Sequence, residues 1–218
     1  MCFSPLASFV TAVATGVVGV IALRKADNPR ELPLAATPIV FAAQQAIEGL
    51  QWLDLHATSG ESASPTLTLL FLLVADVFWP IYAPVAVLLI EPSAKRRSVM
   101  LLSLVAGIGV AAYLLLRIVA QPPGAYVQDE RIVYVIGNQH PVLVAFCYLA
   151  ATGLPLMLSS QRTVSLLGAV VLVGSTIAYI AYWEAFVSVW CFFAAAASVV
   201  VLGHFEWARQ SRLRGRQA

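Results

Sequence analysis

Long apolar runs separated by short polar breaks fill most of this chain. A helix needs about 20 mostly apolar residues to cross a bilayer, and the runs reach that length. The pattern predicts helices over Pro5 to Leu23, Leu34 to Leu53, Thr66 to Ile90, Ser98 to Ile118, Pro141 to Leu158, Val164 to Tyr182 and Ala185 to Phe205. The last two runs barely part at Tyr182-Trp183-Glu184. A turn is required there, because one unbroken helix would be about twice as long as the bilayer is thick. The expected fold class is all-α: a polytopic seven-helix bundle. It divides into one transmembrane domain over residues 1–208 and a basic tail over 209–218.

Between the fourth and fifth runs lies the one sizeable extramembrane segment, Ala120 to His140. Pro122-Pro123-Gly124 signals a turn, and Tyr126 to Ile136 reads as two short β runs around Asp129-Glu130. A small hairpin capping the outer face is the expectation.

The loop charges then give a direction. Arg24, Lys25 and Arg30 follow the first run, Lys95, Arg96 and Arg97 the third, Arg162 the fifth, and Arg209, Arg212, Arg214 and Arg216 the last. The alternate loops hold Arg131 as their one cation, beside Asp54, Glu61, Asp129, Glu130 and Glu184. Basic residues are retained on the cytoplasmic side. The N-terminus is therefore expected outside, the C-terminus in the cytoplasm, and the chain in the cell (inner) membrane as a multi-pass protein. Helix 1 has its basic residues after the apolar run rather than before it, so it reads as a retained span and not a signal peptide.

Composition agrees: of 218 residues, 60% are hydrophobic and 11% charged, where a soluble domain carries about a quarter charged residues. The terminal arginines read as a topology anchor attracted to anionic lipid, not as a nucleic-acid site. No span contains Lys, which excludes a retinal Schiff base. Gly-rich phosphate loops, a dinucleotide fingerprint and a GxSxG elbow are all missing.

Polar residues inside spans are costly and face the bundle interior. Gln44, Glu48 and Gln51 share one helical face, flanked by Gln45 and Trp52. Asp76 falls about ten residues into the third run, near the midplane by its rise of about 1.5 Å per residue. Trp79, Pro80, Tyr82 and Pro84 follow, and the prolines predict a kink. Ser175, Tyr179 and Tyr182 line a face of the sixth run. Ser4, Ser8, Thr11 and Thr15 line a face of the first, where close packing is the simplest role. For Glu48 and Asp76 two readings stand: a neutral carboxyl bonded to a neighbouring helix, or a ligand, ion or proton site.

Cys2, Cys147 and Cys191 all fall in the outer leaflet, together with His56, His140, Glu48 and Glu184. Thiol, imidazole and carboxylate at one depth suit zinc or copper, with Cys2, Glu48, His140 and Cys191 as the donor set. A disulfide and inert buried thiols are the alternatives. No CxxC, HxxxH or HExxH spacing adds weight to the metal. His204 reads as an interfacial residue near the opposite end.

Several stretches carry a resemblance: Met1-Cys2-Phe3-Ser4 with Ser8, Gln44-Gln45-Ala46-Ile47-Glu48-Gly49-Leu50-Gln51-Trp52, Phe78-Trp79-Pro80, and Phe186-Val187-Ser188-Val189-Trp190-Cys191-Phe192-Phe193-Ala194-Ala195. Over nearly its whole length the chain resembles an uncharacterised family of small bacterial multi-helix membrane proteins that begin Met-Cys-Phe-Ser. The resemblance implies a shared plan and no activity.

The expected function is binding of a small ligand or cation in a polar, aromatic-lined cavity open to the outside, in a sensor, binding or transport-like role. Gln44, Glu48, Gln51, Trp52, Asp76, Trp79, Tyr179 and Trp190 are the candidate lining residues. An intramembrane metal- or Cys-dependent enzyme, or an accessory subunit of a membrane complex, is the alternative. Expected partners are the lipid bilayer, a small molecule or ion, and an oligomer or complex.

Overall fold

The computed structural model describes residues 4–57, 63–136, 142–181, 195 and 197–215. Among them the chain is all-α apart from one hairpin. Helix α1 spans Pro5–Lys25 and α2 spans Leu32–Ala57, led by a short 3-10 turn at Pro29–Glu31. The third apolar run is continuous from Pro65 to Ile90. It comprises α3 (Pro65–Leu72), a π-helical turn (Leu73–Phe78) and α4 (Trp79–Ile90). Then come α5 (Ala94–Ala120), strands β1 (Gly124–Gln128) and β2 (Arg131–Val135), α6 (Val142–Met157), α7 (Arg162–Ala181) and α8 (Ser198–Gly215). Only the second half of the seventh predicted run, in α8, falls within the described residues.

The helix starts follow local chemistry. Ser4 caps α1, its hydroxyl accepting from the Ala7 N–H at 3.2 Å with Pro5 at the first helical position. Ser93 caps α5 in the same way. The hairpin forms where the β runs predict it, with Gly124 opposite Val135 and Gln128 opposite Arg131. Its two turn residues, Asp129 and Glu130, both have positive φ, as a two-residue turn matched to strand twist requires.

Two neighbours of the bundle are packed especially closely. α1 runs antiparallel to α2, with Gly19 against Ile39 and Gly49 against Phe9. α5 lies against α4 at Gly107, where a β-carbon would stand 1.9 Å from the Pro80 carbonyl oxygen. Small residues let helix backbones approach in this way. α8 returns to α1, and Lys25 pairs with Glu206 across that contact.

A belt of polar side chains is buried in an otherwise apolar core, and large apolar side chains face outward. Gln44, Gln45, Glu48 and Gln51 are at most 1% exposed, while Leu6 of α1 and Val119 of α5 are each 73% exposed. α1, α5 and the Pro65–Ile90 helix are long and apolar enough to cross a membrane. α2 has the length, with 26 residues, but its buried amides and carboxylate lower its hydropathy. The α6 and α7 segments are apolar and shorter.

At the basic end, two loops are tied together by Glu91. Its carboxylate accepts from the Ser160 hydroxyl at 2.6 Å, the Ser160 N–H at 2.8 Å, the Ser93 N–H at 3.1 Å and the Ser159 hydroxyl at 3.2 Å. Arg96 donates to the Leu158 carbonyl, and Gln161 to that of Ile90. Burial is the largest single influence on Glu91 and pushes its pKa up. The Ser160, Ser93 and Ser159 donors together outweigh it and hold the carboxyl below its ordinary value. His204, expected at the interface, is instead buried and bonded to Thr163.

Candidate functional site

The helical period of α2 brings Gln44, Gln45, Glu48, Gln51 and Trp52 into the bundle, and all five are buried. Gln45 donates its amide N–H to Glu48 Oε2 at 3.1 Å. The indole of Trp79 donates to Gln44 Oε1 at 2.8 Å and stacks on Phe41, with ring centroids 4.1 Å apart. Gln51 donates to Thr68 at 3.2 Å and accepts from the Tyr134 hydroxyl at 2.6 Å. Each bond joins α2 to another part of the chain, except that between Gln45 and Glu48.

The hairpin covers this belt. Tyr134 of β2 lies flat on Phe71, with ring planes 2° apart, while its hydroxyl reaches Gln51. Trp52, Leu55, Ala63, Ala125 and Ile132 form an apolar cluster around it. The Ala63 N–H bonds to the Ala125 carbonyl at 3.0 Å, which ties β1 to the start of the third run.

Asp76 sits in the π-helical turn, and that turn has a readable cause. The Trp79 N–H bonds to the Val74 carbonyl, five residues back. Continued by one residue, this pattern would need an N–H from residue 80, which is proline. The Ala75 carbonyl is thereby left without a backbone donor, and the Tyr148 hydroxyl supplies one at 2.6 Å. Such π turns recur at functional positions in helices. The Asp76 side chain is buried, and its Oδ2 accepts no hydrogen bond. Ser8 Oγ and Gln45 Oε1 are likewise buried without a partner.

Most of the expected lining residues thus come together as a packed network. A cavity of about 50 Å³ lies closer to the basic end. It shares Trp79 with the belt, but Leu34, Phe41, Tyr82, Leu156 and Val171 make its wall apolar, and its one unpartnered polar group is the Ser198 hydroxyl. Apolar cavities of this kind stay dry. Tyr134, Thr68 and Phe41 were not legible as site residues. Tyr134 belongs to the extramembrane hairpin, and nothing in the local pattern around Thr68 or Phe41 sets them apart.

Cys2, His140, Trp190, Cys191 and the Tyr179 side chain lie outside the described residues. Among the described residues no group of three His, Cys, Asp or Glu converges as a metal site requires. Cys147 is a half-buried free thiol.

A helical bundle with a buried polar belt and an apolar exterior, with three helices long and apolar enough to cross a membrane, is the class that fold and site define. Within that class the chain belongs to the Family of unknown function (DUF6629), whose model matches residues 1–217. The resemblance carried by the Met-Cys-Phe-Ser start and the Trp-rich motifs is consistent with that membership. No curated protein and no solved structure matches the chain.

Proposed function

We propose that this is a multi-pass protein of the cell (inner) membrane, with its N-terminus outside and its C-terminus cytoplasmic. Its outer half binds a small cation or cationic solute in a sensor, binding or transport-like role. Gln45 carries this reading: its amide N–H is engaged by Glu48, while its own buried Oε1 accepts nothing. An acceptor beside a buried carboxylate suits a ligand that donates hydrogen bonds or carries positive charge. Phe41 and Trp52 share the Gln45 face of α2, and the hairpin packs over the neighbouring Gln51 and Trp52. The charge asymmetry of the loops supports the orientation.

Thermal unfolding in nanodiscs, with sodium, potassium or methylammonium added separately, tests the site. A ligand bound to the folded state at 100 times its Kd adds about 2.7 kcal/mol. One of the three ions is expected to raise Tm with concentration in the wild type and to leave Glu48→Gln unchanged. No shift with any of them, or an equal shift in both proteins, overturns the reading.

A further inference from the structure

We infer that Asp76 is a proton-binding site inside the bundle, resting as a neutral carboxylic acid and exchanging its proton with water. The inference rests on the proposed membrane setting for what the proton does, but the protonation is tested by itself.

Three observations meet at this residue. Asp76 lies about midway along the Pro65–Ile90 helix, buried, with Oδ2 accepting no hydrogen bond. Among the described residues no cation forms an ion pair with it. A bare carboxylate in such surroundings is very unfavourable, and a protonated acid is the form that buried, unpaired groups adopt.

The surrounding groups are otherwise engaged or distant in role. Among the described residues, the titratable side chains on the elements around the turn include Glu48 of α2, Tyr82 of α4, Tyr113 and Arg117 of α5, and Cys147 and Tyr148 of α6, while Asp54 and His56 of α2 and Lys95, Arg96 and Arg97 of α5 stand at the ends of their helices. Glu48 accepts from Gln45, Tyr82 donates to the Pro33 carbonyl and Tyr148 to that of Ala75. None of these groups bonds to Asp76.

The third observation is the backbone. The π turn and Pro80 interrupt the regular helical bonding on either side of Asp76, and Tyr148 braces the interruption from another helix. A π turn with one carbonyl met by a side-chain hydroxyl can change that bonding without unfolding either flanking helix. Gain of a proton by the carboxylate, or its loss, is a charge change placed where the backbone can respond. The proton would therefore be the ion coupled to whatever occupies the Glu48 site.

Infrared difference spectroscopy decides the matter. The spectrum of the wild type minus that of Asp76→Asn, both at neutral pH in lipid, is expected to contain the carbonyl stretch of one protonated carboxylic acid. The band should shift in D2O and fade as the pH is raised. A carboxylate band in its place overturns the inference. Should Asp76→Asn fail to fold, Asp76→Glu keeps an acid at this position. A protonated-acid band that moves between wild type and Asp76→Glu supports the inference, and its absence from both overturns it. Loss of cation binding in Glu48→Gln bears on the proposed function alone and leaves this result untouched.

Discussion

The indole of Trp79 donates to Gln44 at 2.8 Å while its ring lies on Phe41, so one side chain joins a polar contact to an apolar one. Trp79→Phe keeps an aromatic ring over Phe41 and deletes the donor. Interhelical hydrogen bonds in membranes average about 0.6 kcal/mol and reach about 1.7. The buried Gln44 oxygen places this one toward the upper end, and a loss of about 1–2 kcal/mol is expected by denaturant titration in detergent. Gln44→Leu with Trp79→Phe should lose less than the two single losses added together, because neither polar group then remains to be satisfied.

Tyr134→Phe tests the cover over the site. The stack on Phe71 persists, while Gln51 Oε1 loses its donor. Global stability should fall by about 1 kcal/mol. Amide exchange in β1 and β2 should accelerate more than that in α5. Equal acceleration everywhere would mean that the hairpin has no independent opening.

Gly107→Ala forces a β-carbon onto the Pro80 carbonyl, which is backbone and cannot swing aside. Overpacking of this kind costs about 1–3 kcal/mol. Gly109, two residues on and facing the other side of the same helix, has nothing within 4 Å of where a β-carbon would stand. Gly109→Ala should therefore be neutral or slightly stabilising, and the comparison of the two melting temperatures removes the general effect of alanine in a helix.

Glu91 gives the bundle an acid-sensitive clamp. Its folded pKa lies below the ordinary value of 4.5. Its contribution is then fully present above about pH 4.5 and disappears as the pH falls through the folded pKa. Melting between pH 7 and pH 3 should show a steeper acid decline for the wild type than for Glu91→Gln. At pH 7 the variant should be less stable by about 1.5–3 kcal/mol, the range for hydrogen bonds to a charged group.

Tyr148→Phe leaves the Ala75 carbonyl without the donor that replaces its missing backbone bond. A loss of about 1–2 kcal/mol is expected. Exchange should quicken at the amides of the π turn, measured against those of α1.

The helices and the hairpin were legible because apolar length and turn chemistry are local. Asp129 and Glu130 were placed at the turn by the β runs around them, and the structure has both at positive φ. The inward face of α2 was equally plain, since Gln44, Glu48 and Gln51 recur at helical spacing. What the residues bond to was not legible. Thr68 and Tyr134 lie 17 and 83 positions from Gln51, and tertiary packing alone joins them. The prolines announced a kink, but the π turn before Pro80 depends on where Trp79 finds its carbonyl. Glu91 is not legible from sequence, because an acid among basic loop residues looks like ordinary surface until its four donors are in view.

The contact between α1 and α8, marked by Lys25 and Glu206, makes the bundle a closed circuit. During synthesis α1 keeps one flank vacant until α8 has been made. Assembly in the membrane is therefore not strictly sequential. A chain cut short before Ser198 would carry every residue of the Glu48 belt and still lack the strip of α8 that seals α1.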